Sequence, residues 1–303
     1  MMRRVVFASG KGGTGKTTFT AITARLAAED GPLVLADCDV EAANLPIALR
    51  ATVTGSEPFA GGSKAVIDAD ACRGCGACQP VCRFEAIAAD EDFWRTRAFV
   101  IDPWACEGCG ACVPACPYDA ITMEQSRAGE VHTAETVIGP MAFGQLVAGE
   151  DLSGKLVTEV RTRADAIGVE HGIDRMWIDG PPGVGCPAIA ALTGTDLVMA
   201  VTEPTLSGEH DLMRLVTLAR RFDLPVAVVL NKADLSASGA RRIRERMAAE
   251  GLDLVAEVPF DAELAALPER LARGEEFAFP DTPGMDGVRA TAAWLAERMG
   301  AGS

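Results

Sequence analysis

Short apolar runs and amphipathic stretches alternate along most of this chain. Apolar runs that predict buried strands lie at residues 4–8, 33–36, 176–178, 197–202, 226–230 and 254–258. Helical spacing of apolar positions predicts a helix after the loop at 9–18 and further helices at 208–222, 240–250, 262–273 and 288–299. Strands that alternate with helices form a mainly parallel sheet covered on both faces, so we expect an α/β, doubly wound fold.

This alternation is interrupted after about residue 50. Residues 54–58 and 61–63 are rich in glycine, serine and proline, and we interpret them as a linker. From about 65 to 124 the chain repeats itself, and the polar residues 125–136 lead back to the α/β pattern. We therefore expect a discontinuous α/β domain over 1–55 and 130–303, with a second domain inserted over 62–126.

Charge and hydropathy restrict the partners. A formal net charge of −15 over 303 residues disfavours nucleic acid, which requires a basic face. The basic cluster at 241–246 is interpreted as the solvated face of a helix. No apolar run approaches the roughly 18 residues of a membrane span, and the N-terminus leads directly into a loop motif without room for a signal peptide. We expect a cytoplasmic protein that binds neither membrane nor nucleic acid.

The loop after the first apolar run fits the phosphate-binding pattern G-x-x-x-x-G-K-S/T. Its candidate nucleotide-binding residues are Gly10, Gly12, Gly13, Thr14, Gly15, Lys16, Thr17 and Thr18. Glycines allow backbone N–H groups to surround phosphate oxygens. Lys16 would contact the β- and γ-phosphates, and the Thr17 hydroxyl would bind Mg²⁺. The motif predicts a P-loop NTPase sheet and a site for ATP with Mg²⁺.

Lys11 adds a second lysine to this loop, which therefore resembles the deviant Walker A family. That family includes the septum-site ATPase MinD, the partition ATPases and the nitrogenase iron protein. The resemblance implies ATP hydrolysis in a nucleotide-sandwich dimer, either a homodimer or a heterodimer with a related ATPase. In such a dimer Lys11 would reach the phosphates bound by the other subunit.

Further positions match the motifs of this family. The resemblance implies that Asp39 positions the attacking water, that Asp179 holds Mg²⁺ through water, and that Gly183 senses the γ-phosphate. Asn231 and Asp234 lie in an N-K-x-D segment that resembles the base-reading motif of GTPases. Several ATPases of this class use the asparagine for adenine, so we favour ATP over GTP.

Two cysteine runs with identical spacing occupy the repeated segment. Both have the pattern C-x₂-C-x₂-C-x₃-C and resemble the bacterial ferredoxin run, which is more specific to [4Fe–4S] clusters than to zinc. The resemblance implies one cluster on Cys72, Cys75, Cys78 and Cys116, and a second on Cys82, Cys106, Cys109 and Cys112. Arg83 stands where this family usually has proline, a departure that leaves the ligands intact. The inserted domain is thus expected to be a small α+β bacterial-type ferredoxin.

Two cysteines lie outside both runs. We interpret Cys38 as a small buried hydrophobic residue. Cys186 follows the Asp179 motif, where the nitrogenase iron protein also carries a cluster ligand. No second cysteine completes such a bridging set here, so a packed thiol is the preferred interpretation.

Taken together, the chain resembles MinD-superfamily ATPases that contain an inserted ferredoxin domain. The segments 179–187 and 201–205 contribute to this resemblance. Three functions remain open: ATP-gated electron transfer to a redox partner, assembly or delivery of an iron–sulfur or metal cofactor to an acceptor protein, and MinD- or ParA-like positioning with structural or sensory clusters. Eight cluster ligands favour the first. No C-x-x-C pair follows Cys116, which counts against the second, and the C-terminal segment lacks a basic amphipathic character, which counts against membrane-bound positioning.

Overall fold

A computed structural model describes residues 2–150, 153–275 and 279–299. Residues 1, 151–152, 276–278 and 300–303, which belong to the expected α/β domain, lie outside the described residues. The strands are β1 (Arg3–Ser9), β2 (Val34–Asp37), β3 (Thr52–Ile67), β4 (Ile87–Ala89), β5 (Phe99–Ile101), β6 (Ile121–Glu135), β7 (Pro140–Leu146), β8 (Arg175–Pro182), β9 (Leu197–Thr202), β10 (Val226–Asn231) and β11 (Asp253–Val258). The helices are α1 (Lys16–Ala27), α2 (Leu45–Ala48), α3 (Phe93–Thr96), α4 (Cys112–Ala115), α5 (Ser153–His171), α6 (Cys186–Leu192), α7 (Leu206–Arg220), α8 (Ala237–Glu250), α9 (Ala262–Ala272) and α10 (Pro283–Met299).

One sheet holds nine of these strands, in the order β11-β10-β9-β1-β8-β2-β7-β6-β3. All pairs from β11 to β7 in this order are parallel. Parallel neighbours require crossover connections, which the helices supply. The expected α/β fold with a mainly parallel sheet is confirmed, and each predicted strand and helix corresponds to an observed one with ends that differ by a few residues.

Helices cover both faces of the sheet because its strands are apolar on both sides. In β1, Val5 and Phe7 belong to a core shared with α1, α9 and α10, whereas α5, α6 and α7 pack against β2, β8 and β9. Phe7 and Leu35 are fully buried, and each such side chain contributes about 1.5–3 kcal/mol relative to exposure. The parallel strands all end at one edge of this core, and the predicted nucleotide-site residues lie at these strand ends, in the loops that follow and in the first turn of α1.

The linker predicted at 54–63 is wrong. Those residues belong to β3, a strand of 16 residues. Glycine and proline favour turns, but β3 is the last strand in the sheet order, and edge strands tolerate proline. The polar residues 125–136 likewise lie largely in β6, and the sequence pattern also missed β7 and α5.

The chain divides into two compact units. The α/β unit comprises Met1–Glu57, Glu130–Gln145 and Ser153–Ser303, and the cysteine-rich unit comprises Pro58–Gly129 and Leu146–Leu152.

The cysteine-rich unit is built as two matching halves. Asp68 donates its backbone N–H to the carbonyl of Ala120 at 2.8 Å, and Asp102 donates to Ala86 at 2.8 Å. Each half therefore completes its hydrogen bonding on the other half. The antiparallel pair β4–β5 joins the two halves as well. The repeat seen in the sequence is thus an interlocked pair, and neither half carries the whole core.

Candidate functional site

The phosphate-binding loop connects β1 to α1 at the carboxyl edge of the sheet. Gly13 and Gly15 have φ angles of 80° and 93°, values that side chains other than glycine rarely adopt. A Cβ on Gly10 would lie 2.3 Å from the Cβ of Asp211, so this glycine allows α7 to approach the loop. Lys16 is the first residue of α1, and the positive end of the helix dipole therefore faces the loop.

Asp179 joins the loop to β8 through a buried network. Lys16 Nζ lies 2.9 Å from Asp179 Oδ1, and the Thr17 hydroxyl donates to Asp179 Oδ2 at 2.6 Å. Thr20, which the sequence interpretation missed, also donates to Asp179 Oδ1, at 3.1 Å. Burial alone would lower the pKa of Lys16, but the charge and hydrogen bond of Asp179 raise it. The lysine therefore remains charged inside the protein.

Two further carboxylates follow β2. Asp37 is fully buried and accepts the backbone N–H groups of Asp39 and Leu45, each at 2.9 Å. Burial, followed by the charge of Asp179, raises the pKa of Asp37 to about 8. Asp39, the predicted catalytic residue, is partly buried and lines the cavity beside the loop, and burial is the main cause that raises its pKa. Asp37 shapes the segment that presents Asp39.

The N-K-x-D segment after β10 closes the other side of the loop. Asn231 Nδ2 donates to the carbonyl of Thr14 at 2.8 Å, and Lys232 Nζ donates to that of Gly13 at 3.1 Å. Asp234 is exposed and accepts the backbone N–H of Phe260 at 2.6 Å. Asn231 therefore lines the cavity, whereas Asp234 acts on a neighbouring loop that does.

These elements enclose an open cavity of about 600 Å³. The phosphate-binding loop lines one part of it, and Phe260, Leu264 and Ala265 line another part. The Thr14 hydroxyl is buried in the loop without a hydrogen-bond partner among the described residues. A buried hydroxyl without a hydrogen-bond partner lowers the stability of the fold, unless a bound ligand supplies the partner. A polar loop and an apolar group in one cavity fit a nucleotide, whose phosphates and base need these two environments.

Gly183 and Lys11 are next in sequence to Pro182 and Gly12, which line the cavity. Gly183 has a φ of 88° and donates its N–H to the carbonyl of Ser9 at 2.9 Å, which ties the loop after β8 to the phosphate-binding loop. Lys11 Nζ lies 2.9 Å from Glu203 Oε2, and Lys232 Nζ lies 2.5 Å from Glu203 Oε1. The sequence interpretation noted the segment that contains Glu203 without assigning it a role.

Comparison with known proteins identifies the family of the α/β unit. A model of the CobQ/CobB/MinD/ParA nucleotide binding domain matches residues 5–273. The chain belongs to the CobQ/CobB/MinD/ParA family. The family resemblance inferred from the phosphate-binding loop is thereby confirmed for the nucleotide-binding domain.

The comparisons also found proteins with similar sequence or similar fold. Uncharacterised protein MJ0578 of Methanocaldococcus jannaschii is 34% identical over 238 residues, 78% of this chain and 80% of that protein. Uncharacterised protein MJ0579 of the same organism is 29% identical over 266 residues, 78% of this chain and 82% of that protein. The septum site-determining protein MinD from Pyrococcus horikoshii, solved with Mg-ADP, shares the fold with a TM-score of 0.59, 18% identity and coverage of 99% and 98% of the two chains. None of these names mentions an iron–sulfur group, so the cluster assignment depends on the cysteines of this chain.

In addition to the family's nucleotide site, the chain has two small cavities lined by cysteine. One is lined by Cys72, Cys75, Cys78 and Cys116. The other is lined by Cys82, Cys106, Cys109 and Cys112. Each cavity thus combines three cysteines of one run with the last cysteine of the other run. Burial and the negative charges of the neighbouring thiolates raise the pKa of Cys78 and Cys112.

Glycines shape the loops around both cavities. Gly74 and Gly76 have φ angles of 67° and 71°, and Gly108 and Gly110 have 66° and 71°. A Cβ on Gly74 would lie 2.6 Å from the carbonyl oxygen of Arg97, and one on Gly108 would lie 2.1 Å from that of Ser63. Side chains at these positions would force the loops apart, so both cysteine loops need glycine.

The side chains of the types that ligate metals were also compared for their distance from one another. In the part of the chain that the structure describes, no three His, Cys, Asp or Glu side chains converge tightly enough to hold one metal ion.

Within residues 2–150, 153–275 and 279–299, no helix combines the length and apolar character needed to cross a bilayer.

The remaining two cysteines differ in exposure. Cys38 is fully buried after β2, and burial raises the pKa of its thiol, as the interpretation of a buried hydrophobic residue requires. Cys186 is exposed at the start of α6. The prediction that Cys186 is a packed thiol is therefore wrong, because this side chain lies on the exposed side of the short helix, whereas Ala188 is on its buried side.

Proposed function

We propose that this protein is a Mg²⁺-dependent ATPase that dimerises around its nucleotides and thereby gates electron transfer through two [4Fe–4S] clusters. The observation that carries the proposal is the pair of four-cysteine cavities in the same chain as a complete phosphate-binding loop. Eight cysteines kept as thiols and a site for ATP suit the reducing cytoplasm.

The ATPase part of this proposal is based on the contacts that the structure shows around Asp179. Lys16 would bind the β- and γ-phosphates, Thr17 and Asp179 would hold Mg²⁺, and the Thr14 hydroxyl would find its missing partner on a phosphate. When bound, Mg²⁺ supplies positive charge that stabilises the transferring phosphoryl group. Asp39 faces the cavity and would orient the attacking water.

For the redox half we propose that residues 62–126 form a ferredoxin module. Each cavity offers four thiols, the ligand set of a [4Fe–4S] cluster, which when bound carries one electron at a time. Four thiols that each bind a different iron need not converge on one point, in contrast to the ligands of one zinc ion. The cysteine spacing of the two cavities is therefore compatible with clusters and unfavourable for zinc.

Lys11 supports the dimer in this proposal. It belongs to the phosphate-binding loop, is partly exposed and makes its ion pair with a residue of the same chain. The nucleotide bound by a second subunit, identical or related, would offer its phosphates to Lys11 as an alternative partner. Closure of the dimer would then be coupled to ATP binding, and a redox partner protein would receive the electron.

One observation favours a second function. The fold is similar to that of a septum site-determining protein, so a positioning ATPase whose clusters are structural or sensory is the alternative. The two functions differ in whether nucleotide changes the redox behaviour of the clusters.

An anaerobic redox titration of the cluster-loaded protein separates them. Gated electron transfer predicts that ATP shifts the midpoint potential of at least one cluster, and that reduction changes the rate of ATP hydrolysis. The matched control is Lys16→Ala, in which ATP should leave both potentials unchanged. Unchanged potentials and rates in the wild-type protein would reject gating and leave the positioning function. Protein that binds no iron when reconstituted would reject both.

A further inference from the structure

Glu203 is a largely buried carboxylate placed between two lysines of the nucleotide site. It follows directly after β9 and is 8% exposed. Its Oε2 is paired with Lys11 at 2.9 Å and its Oε1 with Lys232 at 2.5 Å. One side chain therefore contacts both the signature lysine of the phosphate-binding loop and the lysine of the N-K-x-D segment.

This carboxylate remains charged. Burial would raise the pKa of Glu203, but hydrogen bonds from Lys232 and Lys11 hold it below its usual value. Charge-assisted hydrogen bonds of this kind are stronger than neutral ones. The ion pair therefore restrains the side chain of Lys11, which is partly exposed.

Lys232 makes the release of Lys11 possible. A buried carboxylate that loses its only cation is strongly destabilised. Here Lys232 stays paired with Glu203 and also donates to the carbonyl of Gly13, so Glu203 keeps one cation when Lys11 departs.

We propose that Glu203 is a positioning residue that holds Lys11 within its own subunit until the phosphates of a partner-bound nucleotide replace it. The proposal rests on the ATP-dependent dimer described above. It assigns a specific role to the segment 201–205, and it implies that the ion pair of Lys11 sets the nucleotide concentration at which dimers form.

The test is the substitution Glu203→Gln in the full-length, cluster-loaded protein. Glutamine keeps the shape and hydrogen bonding but removes the charge that restrains Lys11. We expect half-maximal dimerisation, followed by analytical ultracentrifugation, at an ATP concentration about tenfold lower than in the wild type. Hydrolysis at low protein concentration should rise, whereas the affinity of the monomer for ADP should stay the same.

Two further variants make the test specific. Glu209→Gln is the matched control, because Glu209 pairs with Arg242 and makes no contact with Lys11; it should behave as the wild type. In a Lys11→Ala background, Glu203→Gln should change nothing, since the restrained lysine is gone. Glu203→Asp, which keeps the charge, replaces the glutamine variant if the latter fails to fold, and should retain wild-type dimerisation within about twofold.

The outcomes distinguish the two proposals. Wild-type protein that dimerises with ATP, together with a glutamine variant that dimerises no more readily, would overturn the role of Glu203 alone. An effect of Glu203→Gln that persists without Lys11 would also overturn it, because the residue would then act through the shape of the site. Failure of every variant to dimerise at saturating ATP would overturn the dimeric ATPase itself.

Discussion

The two units of this protein build their sites in different ways. In the α/β unit, the polar site residues stand at strand ends, in loops and in the first turn of α1, and none of these polar residues belongs to the large apolar core. In the cysteine-rich unit, the small core consists of Ala65, Cys78, Ile87, Phe99, Cys112 and Ile121. Two of the proposed cluster ligands are thus part of the core itself.

This difference predicts different dependence on ligands. A sheet covered on both faces holds its loops whether or not nucleotide is bound. A domain of fewer than about 80 residues rarely buries enough apolar surface to be stable alone and is usually stabilised by disulfides or metal. We therefore expect the nucleotide site to be preformed, and the cysteine-rich unit to be stable only with its clusters.

The sharpest test of a preformed nucleotide site is Lys16→Met. Removal of the charge should lower ATP hydrolysis at least about 100-fold and destabilise the unit by about 3–5 kcal/mol, because Asp179 is left buried and unpaired. Chemical unfolding and an ATPase assay measure both effects.

The double variant Lys16→Met with Asp179→Asn is the control for this prediction. It should regain most of the stability without regaining activity. Iron content should be equal in all of these proteins. Loss of iron in the Lys16 variant would show that the two sites depend on each other, and it would contradict the expected difference between the two units.

Cys78→Ser tests the second half of the comparison. Serine removes one ligand and one core side chain, so iron should fall from about eight to about four per chain. Hydrogen exchange should accelerate at residues 65–124 while the phosphate-binding loop stays protected. Cys186→Ser is the matched control, since that thiol is exposed and outside both cavities. Full iron content in the Cys78 variant would contradict its assignment as a ligand.

The buried Asp37 should make the stability of the α/β unit depend on pH. Its pKa is raised to about 8 in the folded state, against about 3.9 in an unfolded chain. Between these values the folded state holds the additional proton, so the free energy of unfolding falls as pH rises, by up to about 1.4 kcal/mol per unit, and levels off above pH 8.

Unfolding of nucleotide-free, cluster-loaded protein at pH 6, 7, 8 and 9 measures this dependence. Asp37→Asn cannot take up the proton and should flatten the profile below pH 8. Equal slopes in the two proteins would mean that Asp37 is already ionised at pH 6, with Lys16 as its counter-ion.

Asp234→Ala should have the smallest effect. Because this carboxylate supports the backbone of Phe260 from outside the cavity, its loss should raise the KM for ATP about fivefold, the equivalent of one hydrogen bond. The kcat should not change. A switch in preference between ATP and GTP would instead mean that Asp234 contacts the base directly.

Much of the fold was predictable because its signals are local. The apolar runs of β1, β8, β9, β10 and β11 and the helical spacing of α7 to α10 identified an α/β sheet, which the structure confirms. The strand β3 was mistaken for a linker because its glycines and Pro58 have the same composition as a loop. Only its position at the edge of the sheet explains why such residues are accommodated there.

The sequence by itself determined the chemistry that depends on neighbours along the chain: the glycine-rich loop, and the spacing of the two cysteine runs. The tertiary structure alone decided which distant residues meet. Lys16 and Asp179 are 163 positions apart, and the sheet order brings β8 and β9 to either side of β1. The contacts of Glu203 with Lys11 and Lys232 arise in the same way, because parallel strands collect their carboxyl ends at one edge whatever their separation in sequence. No local sequence pattern predicts these contacts.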